Sequence, residues 1–150
     1  MGNTTKTNTT KTLKNNLNGA EEKQRRYMAG VDYFERKLDD KRRLTIPAEL
    51  RNEFVSGVVL TRGFGKYLHL YPKKLWDKEV EPALSGNIFD ERIADLNVRF
   101  RRGKTESELD EKQGRVTIEQ HLLDYAGIDR ELVAIRVGTY WRIMPAGADV

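Results

Sequence analysis

The chain has 150 residues, 38% hydrophobic and 33% charged, which fits one domain or two small ones around a modest core and excludes a large multidomain enzyme. It contains no cysteine, so disulfides, thiol catalysis and Cys-ligated zinc are ruled out, and its longest apolar run, Leu132 to Ile135, is far short of the ~18 residues a membrane span needs. The net charge of +4 is uneven: residues 1–30 hold six basic and two acidic side chains, and the remaining 120 residues hold 21 of each, so any nucleic-acid argument for the folded part must rest on local clustering.

Residues 1–18 are mostly Asn, Thr and Lys with no aromatic residue, too polar to offset the entropy of ordering. Residues 1–30 are therefore expected to be a disordered basic tail. No apolar segment follows its lysines, Lys6 stands where a myristoylation signal needs Ser or Thr, and residues 1–20 lack the arginines and amphipathic stripe of a transit peptide. A solvated extension, or an arm adding non-specific phosphate contacts, remains.

The rest of the chain is an internal repeat. Leu38-Asp39-Asp40-Lys41-Arg42-Arg43-Leu44-Thr45-Ile46-Pro47 recurs as Leu109-Asp110-Glu111-Lys112-Gln113-Gly114-Arg115-Val116-Thr117-Ile118-Glu119, with one extra residue in the second turn, and Tyr67-Leu68-His69-Leu70-Tyr71-Pro72 recurs as Tyr140-Trp141-Arg142-Ile143-Met144-Pro145. Each copy reads as strand, charged turn, strand, short helix, then a hairpin. Val31 to Leu38 and Arg43 to Ile46, with Lys104 to Leu109 and Arg115 to Ile118, are the first strands. Pro47 opens a helix through Phe54, and Glu119 opens one that stops at Gly127. Val58 to Arg62 pairs with Tyr67 to Tyr71, and Leu132 to Val137 with Tyr140 to Met144, the last strands alternating so that one face is apolar. Between the copies, Pro72 to Leu84 and Ile88 to Arg102 read as amphipathic helices broken at Ser85-Gly86-Asn87, a candidate surface for oligomer contacts. One copy is too small to be stable alone, so the two are expected to share a barrel-like core about a pseudo-twofold axis. The expected organisation is tail 1–30, first unit 31–76, helical insert 77–103 and second unit 104–148.

The block from Leu38 to Pro47, the segment from Thr61-Arg62-Gly63 to Pro72, the block from Phe100-Arg101-Arg102-Gly103 to Asp110, and Gln113-Gly114-Arg115 to Gly127 together resemble the MraZ family over about residues 31–145. The resemblance implies an α+β fold made of two AbrB-like swapped-hairpin units. It also implies a cytoplasmic, nucleoid-associated transcriptional regulator that forms ring-like homo-oligomers and binds short direct repeats in double-stranded DNA upstream of a division and cell-wall gene cluster. The family's DNA-contacting Asp-x-x-x-Arg loop corresponds to Asp39 to Arg43 and, less cleanly, to Glu111 to Arg115, unless the extra residue lets Asp110 take the acid's role. The family's turn glycine is Arg42 in the first copy. A side chain at positive φ costs about 1 kcal/mol, which leaves room for a first loop of different shape.

A guanidinium is a rigid fork of donors matched to phosphate oxygens or to guanine O6 and N7. Arg43 and Arg115 are the expected principal DNA contacts, supported by Lys41, Arg42, Lys112 and Gln113, with Asp39 and Glu111 orienting the loop arginines. The bland reading, ordinary solvated turns, is outweighed once the repeat and the resemblance are counted. Arg99, Arg101, Arg102 and Lys104 cluster at a helix end, where structural use is favoured. With two isolated histidines, no phosphate-binding glycine loop and turn carboxylates flanked by cations, neither an enzyme nor a metal site, cofactor or small-molecule substrate is expected. The alternative from another class is an oligomeric protein-interaction module or antitoxin-like AbrB-fold protein without specific DNA readout.

Overall fold

The computed structural model describes residues 31–148, so the expected basic tail lies outside the described residues. Eight strands occur among the described residues: β1 (Tyr33–Lys37), β2 (Arg43–Thr45), β3 (Val58–Arg62), β4 (Leu68–Pro72), β5 (Thr105–Ser107), β6 (Arg115–Thr117), β7 (Glu131–Val137) and β8 (Tyr140–Pro145). Helix α1 (Ala48–Phe54) is wound as a 3-10 helix, α2 spans 73–84, and α3 (Glu91–Arg101) and α4 (Gln120–Ala126) are α-helical. The architecture is mixed α+β and its strand pairs are antiparallel.

Six strands form one sheet in the order β1-β7-β8-β4-β3-β5, and β2 pairs with β6. Exchanging the copies turns β1 into β5, β7 into β3 and β8 into β4, so the sheet order reads the same from either end. The first strand of each copy pairs with the third strand of the other: Phe34 lies opposite Ala134, and Glu106 opposite Val59. At the centre the two last strands meet, with Leu70 opposite Trp141. Leu60, Leu68, Leu70, Leu132, Ala134, Trp141 and Ile143 are all buried in this shared core.

The short helices form because they can pack. Pro47, with φ fixed at −52°, introduces α1, which buries Leu50 and Phe54, one turn apart. Helix α4 buries Leu122, Leu123 and Ala126 and ends at Gly127 in the left-handed conformation, with Ile128 N–H donating to Leu123 O. In α2 the segment Trp76–Val80 widens into a π-helix just before Pro82, whose missing N–H prevents a regular α-ladder there. Helix α3 starts three residues later than the periodicity predicts, because the Asp90 carboxylate accepts from Arg92 N–H and caps it there. Ile88 and Phe89 are thereby left outside the helix, and Phe89 is 94% exposed.

One expectation fails at β4. Alternation predicts a strand with one wet face, yet all five residues from Leu68 to Pro72 are buried. The helical insert covers the other face: Val59 and Tyr71 pack with Trp76, Leu84 and Phe100, and Leu75, Val80, Leu96 and Tyr140 close around them. His69 lies fully buried among aromatic rings, 4.9 Å from that of Tyr140 and 5.4 Å from that of Phe100, and its Nδ1 shares a 2.7 Å hydrogen bond with the Tyr71 hydroxyl. In β8 the corresponding residue is Arg142, half-buried and stacked on the Tyr67 ring.

Burial, aided by the nearby Arg142 charge, pushes the His69 imidazole down to about 4 from its usual 6.5. The fold prefers the neutral ring, so the unfolded chain binds the proton more tightly, and stability falls as pH drops from 6.5 towards 4. Urea melts across that window should give His69→Phe a shallower loss than wild type, by about 3 kcal/mol over the full window.

Candidate nucleic-acid interface

Strands β2 and β6 are three residues each, with Leu44 opposite Val116, Arg43 opposite Thr117 and Thr45 opposite Arg115. Leu44 and Val116 are buried, so alternation turns Arg43, Thr45, Arg115 and Thr117 to the other face of the ribbon. Each strand follows one of the charged turns, and because the strands are antiparallel the two turns sit at opposite ends of the short ribbon, with the arginines on diagonal positions.

Each arginine is held by the carboxylate at the opposite end of its turn. Asp39 Oδ1 accepts from the backbone N–H groups of Lys41 and Arg43, both at 2.9 Å, while its Oδ2 accepts from Arg43 Nε at 2.7 Å. Asp110 repeats the pattern: Oδ1 accepts from Gln113 N–H at 2.6 Å, and Oδ2 accepts from Arg115 N–H at 3.2 Å and Nε at 2.7 Å. In both cases only Nε is engaged among the described residues, so the two terminal amino groups of each fork stay open for a ligand. The Arg115 guanidinium and the Gln113 N–H hold the Asp110 carboxyl well below the usual carboxylate range, and the Arg43 backbone and side chain lower Asp39. Both acids stay ionised at neutral pH, and their tethers with them.

Here the assignment of Glu111 as the second orienting acid is corrected. Asp110 takes that role, and Glu111 is exposed at the turn. The extra residue makes this possible: the first turn closes with Arg42 N–H on Asp39 O, three residues back, and the second with Gly114 N–H on Asp110 O, four residues back. A β-turn has become an α-turn with the same ends.

Arg42 does not reshape its loop. Its φ of 59° matches the 63° of Gly114, so the arginine accepts the left-handed conformation that the glycine adopts freely. Pairing repeats as well, Ile118 N–H donating to Arg42 O and Ile46 N–H to Gly114 O, both at 2.9 Å. The Arg42 side chain folds back, Nε donating to Ile118 O at 3.3 Å with Nη2 3.8 Å from Glu119. Lys41, Lys112 and Gln113 are exposed.

A residue the sequence reading passed over also belongs here. Arg51 of α1 lies over Gly114 and donates from Nε to Ile46 O at 3.0 Å. Three of the four cations near the end of α3, by contrast, are committed to the fold: Arg101 grips the Glu81 carboxylate with both amino groups, Arg99 bonds Phe64 O and the Tyr125 hydroxyl, and Lys104 pairs with Glu106, while Arg102 is exposed. Among the described residues no group of three His, Asp or Glu is placed to hold a metal, and no helix is long and apolar enough to cross a membrane.

An α+β chain whose duplicated halves interleave and present paired basic turns finds its counterparts among proteins named as transcriptional regulators. A family model described as "MraZ protein, putative antitoxin-like" matches residues 32–95. "Transcriptional regulator MraZ" of Kocuria rhizophila is 37% identical over 115 residues, 77% of this chain and 80% of the relative. Those of Salinispora arenicola and Micrococcus luteus are 38% and 35% identical over 103 residues, 69% of this chain in each case and 72% and 71% of the relatives. The chain belongs to the MraZ family.

The two acids of the second turn separate cleanly by experiment. Asp110→Asn should lower the thermal midpoint and loosen Arg115, read as faster amide exchange at Arg115, whereas Glu111→Gln should leave both unchanged.

Proposed function

We propose that this chain is a sequence-specific DNA-binding transcriptional regulator of the MraZ type, acting at the nucleoid in the cytoplasm. Its fold is read as a swapped-hairpin barrel of two AbrB-like units, 31–76 and 104–148, joined by the insert 77–103. The observation that carries the reading is the pair of carboxylate-tethered arginines, Arg43 and Arg115, on one face of the β2–β6 ribbon. A fork fixed at Nε needs little further ordering to meet two acceptors, whether phosphate oxygens or the O6 and N7 of guanine. Lys41, Lys112 and Gln113 flank the pair, Lys41 and Lys112 suited to phosphates and Gln113 to a base edge. Family membership supports short direct repeats upstream of a division and cell-wall gene cluster as the target.

Self-association, as a ring-like homo-oligomer, is assigned to the insert. Ile88, Phe89 and Val98 are exposed there, and the insert also borders a cleft of about 300 Å³ lined by Phe64, Leu75, Val80, Ile93, Leu96 and Tyr140. Sedimentation of a Phe89→Asp variant should show smaller species than wild type at equal concentration.

The decisive experiment compares binding to the DNA upstream of this protein's own gene with binding to a scrambled duplex across a salt series. Wild type should prefer its own DNA, and Arg43→Ala with Arg115→Ala should lose on the order of tenfold or more of that preference while keeping its fold. Equal, salt-labile binding to both duplexes by both proteins would reduce the DNA contact to phosphate attraction and favour the protein-interaction module.

A further inference from the structure

The two turns pose one problem and solve it in opposite ways. At each, a half-buried carbonyl stands at the strand-to-helix junction, Ile118 O beside the first turn and Ile46 O beside the second, and such a group needs a donor. Beside the first turn the donor is Arg42, the turn's own left-handed residue. Beside the second the equivalent residue is Gly114, and the donor comes from the helix instead, as Arg51. The helix position equivalent to Arg51 in the second copy is Leu123, which is buried and carries no donor. Turn and helix residue therefore form the pairs Arg42 with Leu123 and Gly114 with Arg51, one guanidinium in each.

The two arrangements exclude one another at a single turn. A Cβ placed on Gly114 would overlap Arg51, coming within 2.6 Å of its Cδ and 2.9 Å of its Cζ. Gly114 is thus bare for two reasons, its φ of 63° and the guanidinium lying over it.

We propose that Arg51 is a positioning residue for the second turn, holding the segment that presents Arg115 as the Arg42 guanidinium holds the first. The consequence for DNA rests on the regulator reading, but the mechanical role does not. Arg51 ties Ile46 O while Ile46 N–H ties Gly114 O, so loss of the guanidinium frees the residue next to Arg115.

Four proteins test this: wild type, Arg51→Ala, Gly114→Arg and the double variant Arg51→Ala/Gly114→Arg, which transplants the first turn's solution onto the second. Amide hydrogen exchange is read at Gly114 and Arg115 against Arg42 and Arg43 without DNA, and preference for the upstream duplex over the scrambled one is read across a salt series. Arg51→Ala should speed exchange at the second turn on the order of five- to tenfold, leave the first unchanged and lower the preference without altering the salt slope. Gly114→Arg alone should also be impaired by crowding, and the double variant should recover both protection and preference. Unchanged exchange in Arg51→Ala overturns the proposal, as does a loss at both turns that the double variant fails to repair. A salt slope reduced by about one, with both duplexes weakened alike, overturns it in favour of direct phosphate contact. If wild type shows no preference for its own DNA, the regulator reading fails, and the exchange data still decide what Arg51 does.

Discussion

Everything in this molecule depends on strand pairing between the two copies of the repeat. The first strand of each copy has its hydrogen-bonding partner in the other copy, and β2 and β6, three residues each, have only one another. Strands so short are not stable alone, and a hairpin without a covering layer is marginal in water. The core, the placement of the turns at the two ends of the ribbon and the shared ribbon face therefore form together. The cost is in folding: the partners lie some 45 to 100 residues apart in sequence, so loop-closure entropy must be met before those contacts form.

On that frame the turns achieve a specific electrostatic result. A free arginine side chain gives up rotamer entropy, about 2 kcal/mol, when it is fixed on a ligand. Asp39 and Asp110 remove much of that freedom beforehand by holding Nε, and each carboxylate is itself kept ionised by the arginine and amides it binds. The carboxylates partly offset the positive charge of the turns, so the arrangement trades bulk attraction for a defined orientation. That is the expected trade where geometry matters more than net charge.

Much of this was legible in the sequence because duplication makes two readings of each element check one another. The strands and turns follow from the two repeat matches, the stop from Gly127 itself, and the insert from helical periodicity between the copies. What was not legible depended on three-dimensional cover. His69 and Tyr71 sit at positions that alternation turns to solvent, and only the insert folding over β4 makes them core. Asp110 or Glu111 could not be decided from spacing alone, because an added turn residue can be absorbed on either side of the acid. Arg51 reads as an ordinary polar helix residue, and its signal lay in the inequality of the two copies, arginine against glycine in the turn and leucine against arginine in the helix.

The difference of one residue between the turns also gives the ribbon a direction. Two identical turns related by a twofold axis would present the same face after a half rotation, and a duplex beneath them could lie either way round. A β-turn with a folded-back Arg42 at one end and an α-turn carrying exposed Lys112 and Gln113 at the other remove that equivalence. A protein that reads DNA through both has a head and a tail. On the proposed reading, a subunit would meet a site with polarity, and repetition of that site in one orientation would suit it better than mirror-related halves.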